Sequence, residues 1–201
     1  MSKLDDMTKL YDDLVLPCRK CEIAGGIKNK VFGDGPVNAK MVIVGEAPGS
    51  EEDACGHPFV GPAGKLLDRI LAEAGINRTD VFVVNAVKCL PSSMGKIRTP
   101  TDREIEACRE FLRQQVMAIA PKVIVPMGNV ALAATTFKPL KECKITSVAG
   151  LSEKGKKAWY VYTYHPSYAL RRGNDVTIIN EMIGSFKKAL TIQKEEEAKD
   201  A

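Results

Sequence analysis

Four short, unbroken apolar runs, each followed by a stretch of helical periodicity, constrain this chain more than any other feature. Lys40–Gly45 (KMVIVG) is the clearest. A strand with one wet face alternates apolar and polar residues, whereas a continuous run is buried on both faces, as parallel strands are. Val81–Val87, Lys122–Met127 and Trp159–Tyr164 repeat the pattern. The segments between them read as helices. Gly64–Gly75 carries Leu66, Leu67, Ile70, Leu71 and Ala74 at helical spacing, with Gly75 as its stop. Thr101 and Glu104 make a capping box for a helix running to about Ala120. Gly128 ends the third strand and Asn129 is placed to cap the next helix. A last helix presents Ile178, Ile179, Met182, Ile183, Phe186 and Leu190, and a first one Leu4, Met7, Leu10, Tyr11 and Leu14 before Pro17 stops it. Strands alternating with helices imply parallel pairing, so the expected fold is a three-layer α/β/α sandwich around a four-stranded parallel sheet.

Ligands of such sheets bind outside the carboxyl ends of the strands. The polar residues of this chain concentrate there: Gly45-Glu46-Ala47-Pro48-Gly49 after strand one, Asn85 and Lys88-Cys89 at the end of strand two, Gly128-Asn129 after strand three, and His165-Pro166-Ser167 after strand four. That convergence defines a candidate site by itself.

Length allows one substantial domain, assigned to residues 1–193, with a charged, flexible tail expected over 194–201. No stretch reaches the roughly 18 apolar residues of a membrane span, and the acidic N-terminus is unlike a signal peptide, so the expected address is cytoplasmic. The net charge is +4, but the tail hides part of it: the first 193 residues hold 27 basic against 21 acidic groups. This surplus is compatible with a phosphate backbone as partner without requiring one. Six cysteines in a chain of this kind argue for metal or redox chemistry rather than disulfides. Cys18 and Cys21 form C-x2-C, Cys89 lies at a strand end, and Cys108 follows 19 positions later inside a helix. Four thiolates suit a tetrahedral zinc or a four-iron cluster, and spacing does not separate the two; nor does it exclude buried thiols that bind nothing. A thioredoxin-like pair is disfavoured because its C-x-x-C begins a helix, whereas Cys18 follows one. Cys55 and Cys143 read as ordinary thiols.

The blocks GEAPGSEED (Gly45–Asp53), HPFVGPAGKLL (His57–Leu67), VNAVKC (Val84–Cys89) and HPSYALRR (His165–Arg172) resemble the motif series of the family 4, iron–sulfur-containing uracil-DNA glycosylases. The resemblance covers the chain from Cys18 to Arg172. It departs in a Cys89–Cys108 interval a few residues long, the excess falling in Ser92–Ile97, and in His57, where an arginine is common. The resemblance implies a monofunctional enzyme that flips uracil from single- or double-stranded DNA and hydrolyses its glycosidic bond. It implies a 4Fe-4S cluster on Cys18, Cys21, Cys89 and Cys108, with zinc as the alternative. A monomer is expected, no membrane partner, and a replication or repair clamp is left open.

The chemistry explains the residue types. Cleavage leaves uracil as an anion with charge on O2, and donors aimed at developing charge are usually the largest catalytic contribution. The resemblance gives that role to His165; the alternative is a histidine bonded within a loop. Glu46 is the nearest carboxylate and a possible water-orienting group, since Ala47 stands where relatives that activate water carry aspartate. Backbone amides of Gly45, Glu46 and Ala47 are expected to help hold the base. Asn85 can accept from uracil N3–H and donate to O4, a pattern cytosine reverses. Phe59 would stack on the flipped ring, although a phenylalanine is also ordinary core. Gly49 replaces the tyrosine with which other uracil glycosylases exclude thymine, so the task falls to Glu52 in preference to Glu51 or Asp53, against the alternative of a solvated acidic run. Tyr168, Leu170, Arg171 and Arg172 are expected in a short DNA-contacting loop, with Leu170 either filling the gap of the flipped base or joining the core. With two histidines in all, covalent cross-linking as in a sister branch is not expected. The competing class is a catalytically silent DNA-binding or assembly module on the same fold.

Overall fold

The computed structural model describes residues 2–136, 149–153 and 156–200, with backbone alone for 149–153, 156 and 157. Cys143 lies outside the described residues. In chain order the elements are α1 (Lys3–Lys9), β1 (Met41–Gly45), α2 (Ser50–Cys55), α3 (Pro62–Glu73), β2 (Phe82–Asn85), β3 (Ser92–Ser93), β4 (Lys96–Ile97), α4 (Asp102–Ile119), β5 (Val123–Pro126), α5 (Gly128–Thr136), β6 (Ala149–Glu153), β7 (Lys156–Tyr160), α6 (Pro166–Arg171) and α7 (Val176–Asp200).

The apolar runs become the sheet for the reason their pattern gives. Every residue of β1, β2 and β5 is buried, and alternate side chains feed two separate cores. Val42, Val44, Val84 and Ile124 pack with α4, α5 and the N-terminal segment on one face. Met41, Ile43, Val83, Val123 and Val125 pack with α3, α6 and α7 on the other. The strand order is β2-β1-β5-β7-β6. The first four are mutually parallel, which is the expected sandwich. A fifth strand, β6, adds an antiparallel edge to β7. Its sequence, AGLSE, has no apolar run; backbone pairing with β7 makes it a strand, and that leaves no side-chain signature. The fourth parallel strand was expected over Trp159–Tyr164 and forms over Lys156–Tyr160. Its ladder nonetheless continues, with Val161 N–H donating to Ile124 C=O and Thr163 N–H to Pro126 C=O, so the strand still delivers His165 to the sheet's carboxyl edge.

Two terminal expectations are corrected. Leu4 and Leu14 were assigned to the buried face of the first helix, yet they are exposed, and Val15 is fully buried instead. The helix winds as a π-helix over Leu10–Val15, and the wider turn rotates Val15 into the position Leu14 would hold in a regular α-helix. The tail from Lys194 continues α7 to Asp200 rather than leaving it. Gln193–Glu197 and Lys199–Glu196 pairs line the helix, and Lys122 reaches Asp200 from the sheet's opposite end. Charged residues at helical spacing are as compatible with a solvated helix as with a loose end.

Candidate active site

The carboxyl ends of the parallel strands open into a cleft of about 600 Å³ whose walls include Glu46, Ala47, Glu52, Phe59, Asn85, His165 and Arg171. These residues come from five separate stretches of chain, and the register of β1 on β2 sets Gly45 directly beside Asn85.

Gly45 is where the site is tightest. A Cβ there would lie 2.4 Å from Asn85 Oδ1 and 2.5 Å from Phe59 Cζ. No side chain fits, so the glycine exists to let those two groups close over the strand end. Asn85 is buried, and its Oδ1 has no hydrogen-bond partner. An orphaned buried amide oxygen costs about 1–3 kcal/mol, a penalty a ligand donor would relieve. Phe59 holds a left-handed backbone, φ 57°, which for a phenylalanine costs on the order of 1 kcal/mol and persists only when the surroundings impose it. Here they do. Gly64 lies against the Phe59 carbonyl so closely that a Cβ would stand 1.7 Å from its oxygen.

Glu52 imposes the rest. Its Oε1 accepts from Val60 N–H (3.0 Å) and Gly61 N–H (2.9 Å), and its Oε2 from Gly49 N–H (3.0 Å). One carboxylate thus ties the loop bearing Phe59 to the turn after β1. Sequence reasoning assigned Glu52 to blocking the pyrimidine 5-position; it lines the cleft, with both its oxygens engaged by backbone amides. Asp53 is likewise committed, to Lys28 and Asn29 N–H, whereas Glu51 remains exposed.

His165 caps α6, and its Nδ1 accepts from Ser167 N–H at 3.2 Å, with Ser167 Oγ at 2.8 Å. A backbone N–H can only donate, so Nδ1 is the acceptor and the neutral ring carries its proton on Nε2. Burial in the cleft wall, with the Arg171 guanidinium adding to it, pushes the imidazolium down to about 4. The ring lies 5.8 Å from Phe59, tilted by 37°. Gly128 backs it, because a Cβ there would sit 3.3 Å from His165 Cβ. Glu46, half-buried across the cleft, is raised above the ordinary carboxyl range by burial, against the opposing pull of Arg171.

The residues after His165 form α6 rather than the expected loop. Tyr168 stacks on Tyr164 at 5.4 Å, and Arg172 lies over Tyr168 at 4.9 Å. Leu170 packs against the core beside α7. Arg171 alone of the four lines the cleft, held by Ser167 Oγ at 3.1 Å. Sequence reasoning missed the opposite rim. The extra residues before Cys108 fold as the β3–β4 hairpin, turning at Met94 and Gly95, both with positive φ. Pro91, Ile97, Arg98 and Thr99 from it line the cleft. Arg98 makes a two-point ion pair with Glu104, 2.6 and 2.8 Å, which together with the Thr101 bonds holds the Glu104 carboxyl at about 2. The Pro91-Ser92-Ser93-Met94-Gly95 composition was the available signal for a turn.

Cys18, Cys21, Cys89 and Cys108 line a second, smaller cavity with Lys30 and Lys88, and all four are unpaired thiols. Burial pushes the thiols of Cys21 and Cys108 up, and that of Cys89 to about 12, where the neighbouring Cys108 adds to it. Among the described residues no three Cys, His, Asp or Glu side chains are gathered tightly enough for a single metal ion. Lys88 is buried in the wall between this cavity and Asn85. Cys55 is exposed and apart.

Residues 32–187 match the model of the uracil DNA glycosylase superfamily. The chain is 40% identical over 196 residues to a type-4 uracil-DNA glycosylase of Thermotoga maritima, covering 96% of this chain and 97% of that one. It is 39% identical over 195 residues to a type-4 uracil-DNA glycosylase of Archaeoglobus fulgidus, covering 94% and 92%. No described helix is long and apolar enough to cross a membrane.

Proposed function

The chain belongs to the uracil-DNA glycosylase superfamily, and from that premise we propose how its cleft excises uracil from DNA. The observation that carries the reading is the meeting of Asn85, Phe59 and the Nε2–H edge of His165 around one cleft, with an unsatisfied Asn85 oxygen inside it.

An extruded uracil enters the cleft and stacks on Phe59. Asn85 Oδ1 accepts from N3–H and its amide donates to O4. Cytosine presents the reverse at both positions and would leave two buried groups unpaired, a mismatch that sites of this type reject by factors on the order of ten thousand. As the glycosidic bond stretches, charge accumulates on O2, where neutral His165 donates from Nε2. Because Ser167 N–H occupies Nδ1, the donor tautomer is set before substrate arrives, and no proton rearrangement is needed at the moment of reaction. Amides of Gly45–Ala47 support the base. Glu46, on the same wall, orients the water that captures the sugar cation. Arg171, on the cleft wall, supplies positive charge for a flanking phosphate. Glu52 acts as the brace of the Phe59 loop, and the closeness of Phe59 and Asn85 over Gly45 limits the space available to a 5-methyl group.

The four cysteines hold a 4Fe-4S cluster in this reading. Four thiols lining one cavity are the donor set that either a four-iron cluster or a tetrahedral zinc takes, and the family resemblance selects the cluster. Held by Cys18, Cys21, Cys89 and Cys108, such a group would join the N-terminal segment to the strand end of Cys89 and to α4.

Incubation of purified protein with a uracil-containing oligonucleotide, followed by alkali, tests the activity. Cleavage at the uracil position is expected. Intact strands under conditions where the protein binds DNA would support the silent-module alternative.

A further inference from the structure

Lys88 is among the largest fully buried side chains of the described residues, 1% exposed, and nothing in the chemistry above uses it. Its Nζ donates to the Asn85 carbonyl at 2.6 Å. That carbonyl sits where β2 ends and the ladder to β1 passes to Ala86 and Val87 N–H, so it has no strand partner to hold it on the outer side. An ammonium carries three donors. One is spent on Asn85, and the same side chain lines the cavity of the four cysteines. Burying a lysine is expensive unless its donors are engaged, and the wall of that cavity is the other surface within its reach.

We propose that Lys88 is a positioning residue that couples the cysteine cavity to base recognition, its buried side chain joining the wall of that cavity to the backbone of Asn85. This rests on the reading of Asn85 as the base-selecting group. Lys88 touches no substrate. It fixes the peptide from which the Asn85 amide projects, and the occupant of the cysteine cavity fixes Lys88. The four cysteines then act on uracil recognition through one side chain, in addition to clamping the N-terminal segment.

The test uses the holoprotein and the variants Lys88→Met and Lys88→Arg. Affinity is measured for strands carrying 2′-fluoro-deoxyuridine, which resists cleavage, and for the same strands with 2′-fluoro-deoxycytidine, beside iron content, visible absorption and thermal melting. Lys88→Met is expected to keep its iron and its cooperative melt, and to bind the cytosine strand as the parent does. Its preference for the uracil strand should fall on the order of tenfold, the scale of one lost hydrogen bond from a charged donor, and Lys88→Arg should recover part of it. Unchanged preference in Lys88→Met overturns the proposal, as does a loss accompanied by equal loss of iron or of folding, or one that arginine leaves wholly unrepaired. A parent protein with no preference for uracil would instead overturn the reading of Asn85 itself.

Discussion

Replacing Gly45 by alanine separates the site from the fold. The added methyl would stand 2.4 Å from Asn85 Oδ1 and 2.5 Å from Phe59 Cζ, each about 1 Å inside ordinary van der Waals contact. Gly45 is not among the glycines with positive φ, so alanine brings no backbone strain and the whole insult is local. Asn85 cannot retreat, since it is buried and its backbone is paired with Gly45 in the sheet. Phe59 is hemmed in by Gly64 and by the Glu52 brace. Something must therefore move by about 1 Å. Overpacking of this size costs about 1–3 kcal/mol of stability, whereas a 1 Å displacement of recognition groups costs on the order of a hundredfold in rate. Single-turnover uracil excision alongside thermal melting measures both. The expected result is a folded protein, modestly destabilised, with excision at least a hundredfold slower. Excision within threefold of the parent would refute the claim that Asn85 and Phe59 form the base-holding surface.

Further predictions follow from the same contacts. Ala in place of His165 should slow single-turnover excision much more than Ala in place of Glu46, and the reverse order would overturn the assignment of the O2 donor. Because burial lowers His165 to about 4 from its ordinary value near 6.5, excision should hold through pH 6.5 and fail only as pH approaches 4. The unfolded chain binds the proton from 6.5 downward and the native ring does not, so His165 contributes a loss of stability that grows between those values. A melting profile of the parent against His165→Gln over that range reads it, and an inflection of activity at 6.5 would contradict it. Glu52→Gln should lower the denaturant midpoint by an amount equivalent to about 1–3 kcal/mol, because one oxygen facing an N–H becomes an NH2 group; no change would remove Glu52 as the brace. Cys108→Ser should strip iron and expose the segment around Cys18 to proteolysis, and retention of full iron with unchanged cleavage would refute the clamp.

The sheet and the position of the cleft were legible because both rest on patterns of type and period. Unbroken apolar runs state double burial, and the carboxyl edge follows from parallel pairing. What escaped lies in contacts without such a signature. AGLSE became a strand through backbone pairing alone. One π turn exchanged Leu14 for Val15 in the core. Glu52 was singled out among three adjacent acids for excluding thymine, but its bracing role was not legible, because only the fold of the Phe59 loop brings three amides to its carboxylate. Likewise Lys88 reads as a basic residue beside a cysteine, and its burial is visible only once the cavity behind it is built.

The most direct test of the account exchanges the polarity that Asn85 offers the base. Asn85→Asp replaces the donor to O4 by an acceptor suited to the amino group of cytosine. Rates of base release from matched uracil- and cytosine-containing strands should then show uracil excision reduced on the order of a hundredfold or more and cytosine release rising above that of the parent. Undiminished uracil excision with no gain on cytosine would contradict the claim that this side chain reads the extruded base.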